Sequence, residues 1–122
     1  MNERYPDIEI YLKDPAPEAV LSWLEENFGG VTSEQRGNNT HFHLGNTEAL
    51  LVPNAVKGRY ASLWFKTNTT PWHDDESCAR SAHATMGVEV RCSLSAADPD
   101  DDGPGEWLRL TGDGESQVRW QT

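Results

Sequence analysis

The residues of this chain best suited to chemistry by type and spacing lie in "THFHLGNTEALLV" (40–52), where His41 and His43 stand two apart. On a β-strand, alternate side chains share one sheet face about 7 Å apart. Two imidazoles so placed make half of a metal site, and Glu48 is the nearest third ligand. A two-residue turn at Gly45-Asn46 sets His43 opposite Glu48 and His41 opposite Leu50, and sends Phe42, Ala49 and Leu51 to the other face. Three readings stay open at this point: a metal site, a His43–Glu48 pair on a solvated sheet, and a surface that contacts a ligand.

Trp64 and Trp107 are the next candidates. In "RYASLWFK" (59–66), Ala61, Leu63 and Phe65 alternate with Tyr60, Ser62, Trp64 and Lys66, which puts Trp64 on the polar face. In "EWLRL" (106–110), Trp107 and Arg109 share a face in the same way. Large rings on a charged sheet face invite association, so the pair is read as lining a pocket or a dimer interface. Lys66, Arg91, Arg109 and Arg119 make the second half of that face basic, and Asp7, Glu9 and Glu48 make the first half acidic. Cross-strand salt bridging, worth little per pair, is the plainer account of these charges. Trp23 and Trp120 are assigned to the core. No nucleophile–base–orienter set is visible, and His41, His43 or Asp7 would have to act alone as a base, so an enzyme ranks below a binding protein.

The elements that position these residues follow from periodicity. "PDIEIYLK" (6–13) alternates as a half-buried strand, with Ile8, Ile10 and Leu12 inward and Asp7, Glu9 and Tyr11 outward. Asp14 before Pro15 suggests a helix N-cap, Val20, Leu21, Leu24 and Phe28 make a helical stripe, and Gly29-Gly30 ends it. The second half repeats this order, with Asp74 as cap, Cys78, Ala79, Ala82 and Met86 as a small-residue inner face, Gly87 as stop, and an outer Glu76–Arg80 pair. Eight strands are expected near 5–13, 31–36, 39–45, 47–53, 59–67, 88–93, 106–111 and 116–121. Tyr5 to Tyr60 and Val31 to Val88 are offset by 55 and 57 residues, so the two halves run almost in step. The expectation is a single domain over 1–122, of α+β class. It is made of duplicated βαβββ units (5–53 and 59–121), with an acidic loop at 96–105 inserted in the second.

Composition narrows the function. A formal net charge of −10 argues against nucleic acid and suits a soluble protein or a basic protein partner. No apolar run is long enough for a membrane span, and "MNERYPDIEI" lacks the pattern of a signal peptide, so a cytoplasmic location is expected. There, Cys78 and Cys92 are expected as reduced, buried thiols.

Paired βαβββ units resemble the vicinal oxygen chelate superfamily, the glyoxalase and bleomycin-resistance proteins. "IYLKDPAPEAVLSWLEENFG", "HLGNTEALLV" and "WLRLTGDGESQVRW" are the stretches that look similar. The resemblance implies a cupped, mostly antiparallel sheet, two helices on one face, and a ligand in the concave face. Its four metal positions would fall on Asp7, on 48–52 where Glu48 is the only candidate, near Ser62, and on Val118 or Arg119. Two good ligands are too few for a cation, so the resemblance is to the metal-free type, with no cofactor. The implied function is a small-molecule binder, with a homodimer among its expected forms, that uses His41, His43, Glu48, Trp64, Trp107, Arg109 and Arg119. The alternative is an acidic inhibitor or immunity-type protein for a basic partner.

Overall fold

The computed structural model describes residues 7–45, 47–57, 59–68, 70–93 and 105–120, and for 105, 106, 119 and 120 the backbone alone. Alternation makes β1 (Ile8–Lys13), in which Ile8, Ile10 and Leu12 are fully buried and Glu9 and Tyr11 partly exposed. Helix α1 (Pro17–Phe28) buries Val20, Trp23 and Leu24. Then come β2 (Thr32–Arg36), β3 (Asn39–His43), β4 (Glu48–Val56) and β5 (Tyr60–Phe65). Helix α2 (Asp75–Met86) follows, then β6 (Val90–Ser93), β7 (Gly105–Thr111) and β8 (Gly114–Trp120).

All eight strands join one antiparallel sheet in the order β2-β3-β4-β5-β1-β6-β7-β8. The first strands of the two halves, β1 and β5, are neighbours at its centre. The halves join them differently: β4, the last strand of the first half, borders β5, whereas β6 and not β8 borders β1. Both helices lie on one face, where their buried residues form a single core with Ile8, Ile10, Leu12, Phe42, Ala49, Leu63, Phe65, Val90 and Cys92. Among the described residues, the other face carries no helix. Cys78 and Cys92 are free and buried in that core, as expected of packing thiols.

The structure differs from the sequence reading in three places. Asp14 does not cap α1; the N-cap is Ala16, with no side-chain bond, because Pro17 and not Pro15 takes the start of the helix. Asp14 instead has φ 47° and faces Arg59 at 3.4 Å. Trp72, which the periodicity left unassigned, is buried, stacks on Trp23 with ring centroids 5.0 Å apart, and meets Phe65 edge-on. Its loop is held by Thr70 and Asn68, which bond each other and the backbone at Trp72 and His73.

The third difference is a strand phase. The β7–β8 turn is Gly112-Asp113, with Thr111 opposite Gly114, so Trp107 faces Val118 and Arg109 faces Ser116. Gln117 therefore shares a face with Leu108, and Arg119, expected on the face of Trp107, pairs with Glu106 in the phase of Gln117. Trp120, expected in the core, pairs with Gly105 in the phase of Trp107. A one-residue slip moves a whole strand to the other face. Glu115 confirms the phase from the helix side, where it ion-pairs with Arg80 of α2.

Helix α2 begins as its sequence indicates, with the Asp74 carboxylate accepting from the Ser77 N–H at 2.9 Å. Gly87 closes it in the left-handed conformation at φ 72°. Asp74→Ala is expected to lower the urea midpoint at pH 5 by the equivalent of about 1 kcal/mol, the usual worth of an N-cap. An unchanged midpoint would show that packing alone holds this helix.

Candidate functional site

The register resolves the helix-free face into rows that cross the strands. One row reads Glu34, His41, Leu50, Trp64 and Glu9 across β2, β3, β4, β5 and β1. Continuing the Tyr11–Arg91 pairing by two residues brings Ser93 beside Glu9, and the row goes on through Trp107 and Val118. Trp64 and Trp107 therefore stand in one row, three strand spacings or about 14 Å apart. Between them lie only the strands of Glu9 and Ser93. Both indoles are partly exposed.

Glu9 is held in place from three sides. Its Oε1 accepts from the Tyr11 hydroxyl at 3.3 Å, its Oε2 from Ser62 Oγ at 3.0 Å, and its N–H donates to Asp75 Oδ1 at 3.1 Å. Tyr11 packs edge-on against Trp107 at 5.4 Å between centroids. Burial, with the Glu9 charge adding to it, pushes the Tyr11 hydroxyl up to about 12, so it stays a donor at any physiological pH. Trp64 Nε1 donates to Asp7 Oδ2 at 2.8 Å. The alternation of "DIEIY" marks Asp7, Glu9 and Tyr11 as face residues but does not show that they form one acid–aromatic cluster with the two indoles. The signal that singles them out is the placement of β1 at the centre of the sheet.

His43 and Glu48 meet as expected, Nδ1 to Oε1 at 3.5 Å, and His41 lies opposite Leu50. Lys66 also takes Glu48, at 3.2 Å, and mainly holds its carboxyl below the usual range. His41 thus stands in the tryptophan row toward its β2 end, and His43 and Glu48 lie one row further along the strands, away from its centre. Among the described residues, no three His, Cys, Asp or Glu side chains are grouped closely enough for a metal ion.

Arg109 belongs to a second cluster, nearer the other ends of the strands. Glu89 Oε2 accepts from the Tyr60 hydroxyl at 2.6 Å and from Arg91 Nε at 2.9 Å, and Glu89 Oε1 from Arg109 at 3.3 Å. Arg109 Nε lies 3.3 Å from Oε2 but is not aligned for a hydrogen bond. Burial alone would push the Glu89 carboxyl up; the bonds from Tyr60, Arg109 and Arg91 reverse this and bring it down to about 2. Arg91 lies over the Tyr60 ring at 4.8 Å. Arg119 is in β8, and its side chain is outside the described residues.

The open face is polarised along its strands. Among the described residues, the tryptophan row and the strand ends beyond it carry Asp7, Glu9, Glu34 and Glu48 against Lys66 alone. The remaining rows carry Lys13, Arg36, Arg91 and Arg109 against Glu89 alone. Both indoles sit in the acidic half.

Comparison with known protein families, curated proteins and solved structures finds no match. Chemically, the face offers aromatic surface and fixed charges of both signs, the means of recognition.

Proposed function

We propose that this chain is a small binding protein that docks a cationic protein partner on the helix-free face of its sheet, as an acidic inhibitor or immunity-type protein would. The observation that carries this reading is the tryptophan row. From Leu50 to Val118 it crosses six strands, about 24 Å, and it holds two partly exposed indoles on a face that no helix covers. Eight strands of roughly six residues give a face on the order of 800 Å², the share that each partner contributes to a standard protein interface. Tryptophan, tyrosine and arginine are the residues that anchor such interfaces. The net charge of −10 would steer a basic partner, and the acidic half of the face is where the indoles wait.

A second reading, in which the face binds a planar small molecule without metal, is supported by the Tyr11–Trp107 ring pair in the same sheet layer as Arg109. It goes with the duplicated, cupped plan and the resemblance to metal-free bleomycin-resistance proteins, and with a homodimer. His41, His43, Glu48, Trp64, Trp107 and Arg109 would then contact the ligand.

Affinity capture from the source cells separates the two. The wild-type chain and a Glu25→Gln/Glu26→Gln variant, altered on the exposed side of α1, are expected to retain the same basic protein in stoichiometric amount. Trp64→Ala/Trp107→Ala is expected to lose it at least a hundredfold. Capture indifferent to the two indoles would overturn the docking reading. A thermal shift of several degrees with small aromatic cations, abolished in the tryptophan double variant, would favour the second.

A further inference from the structure

We propose that the partner's anchor is an arginine side chain, seated between Trp64 and Trp107 on the carboxylate of Glu9. This deepens the docking reading above and rests on it. The register puts a single carboxylate in the row between the two indoles, and it is the one on the open face whose position is fixed by two hydroxyls and its own backbone. Each Glu9 oxygen accepts one of these hydroxyl bonds, and a carboxylate offers about four acceptor sites, so one further site stays available on each oxygen. Two parallel sites on one carboxylate match the two-pronged donor edge of a guanidinium. The planar guanidinium also stacks on aromatic faces and sheds water more readily than an ammonium.

Charge complementarity points the same way. Asp7 lies beside Trp64, bonded to its Nε1, and adds a second negative charge at the slot. Of the face's described arginines, Arg91 and Arg109 are engaged with Glu89 in the basic half and Arg36 with Glu34. Among the described residues, no cation of this chain forms an ion pair with Glu9 or Asp7.

The probe is acetyl-arginine-N-methylamide, titrated into the isotope-labelled full chain while the indole N–H resonances are followed. Those of Trp64 and Trp107, assigned by single substitution, are expected to shift together and saturably. The norleucine counterpart should not move them, and the lysine counterpart should bind several-fold more weakly. Glu9→Gln, which keeps the shape and both hydroxyl partners, is expected to weaken arginine binding at least tenfold. Glu25→Gln/Glu26→Gln removes two charges elsewhere and should change it less than twofold. Should Glu9→Gln fail to fold, Trp107→Leu serves instead and should weaken the Trp64 response at least fivefold.

Equal losses in Glu9→Gln and Glu25→Gln/Glu26→Gln would mean general attraction to an acidic protein and overturn the slot. So would lysine binding as tightly as arginine, or independent movement of the two indoles. A partner captured through the indoles but retained by Glu9→Gln would leave the docking reading standing and remove this one.

Discussion

Trp23→Ala is expected to lower folding stability by about 3–5 kcal/mol, whereas Trp64→Ala and Trp107→Ala should each stay within about 1 kcal/mol of the wild type. The difference lies in what each ring touches. Trp23 is fully buried, stacked on Trp72, edge-on to Phe65 at 6.3 Å, and bonded through Nε1 to Ser81 Oγ at 3.0 Å. Its removal opens a cavity under both helices and leaves the Ser81 hydroxyl short of a partner. Trp64 loses an exposed hydrogen bond to Asp7, and among what Trp107 loses is a ring edge against Tyr11. An aromatic pair of that kind is worth about 0.5–1.5 kcal/mol. Urea midpoints of the three variants decide the matter. Equal destabilisation in all three would place the open-face indoles in a core and remove the site built on them.

Much of this geometry was legible in the chain because period-two alternation is a backbone property that tertiary context rarely alters. The hairpin register, His43 opposite Glu48 and Phe42 opposite Ala49, follows from a two-residue turn and the burial of three apolar side chains. The β8 phase was not legible. In "TGDGESQVRW" the only apolar residues are Val118 and Trp120, and both have the strand phase of Trp107, so hydrophobicity pointed to the wrong side. A turn as rich in glycine as Gly112-Asp113-Gly114 accommodates more than one register. The helix start failed for a related reason: "DPAP" offers two prolines, and either satisfies the rule for the first helical turn. The site itself was visible only as residue types. That Glu9 lies between two tryptophans depends on β1 entering the sheet beside β5 and β6, a long-range choice that no local pattern encodes.

One buried and one half-buried carboxylate with opposite shifts are expected to give two limbs of a stability profile that meet at about pH 4, between their unfolded values of 3.8 and 4.5, and their substitution should flatten one limb each. Asp75 is buried in the first turn of α2; burial, strengthened by Asp7, Glu9 and Asp74, raises its carboxyl from 3.8 to about 7 despite the hydrogen bond from the Glu9 N–H. The folded chain therefore keeps a proton that the unfolded chain releases between pH 4 and 7. That contribution is complete below the unfolded value of 3.8 and is lost as pH rises through about 7. At about 1.4 kcal/mol per pH unit, the loss is on the order of 4 kcal/mol. Glu89 runs the other way. Its folded value near 2 lies below its ordinary 4.5, so its contribution is present above 4.5 and is lost as pH falls toward 2, on the order of 3 kcal/mol. Asp75→Asn, which keeps an oxygen for the Glu9 N–H, is expected to abolish most of the decline between pH 5 and 8 and to leave the variant more stable than wild type at pH 8. Glu89→Gln should be weaker than wild type by about 3 kcal/mol at pH 7 and lose little more on acidification, because the charge that Tyr60, Arg91 and Arg109 converge upon is already gone. Urea midpoints at pH 3, 5 and 8 test both. A wild-type chain as stable at pH 8 as at pH 5, with Asp75→Asn parallel to it, would show that Asp75 is ionised in the fold without cost.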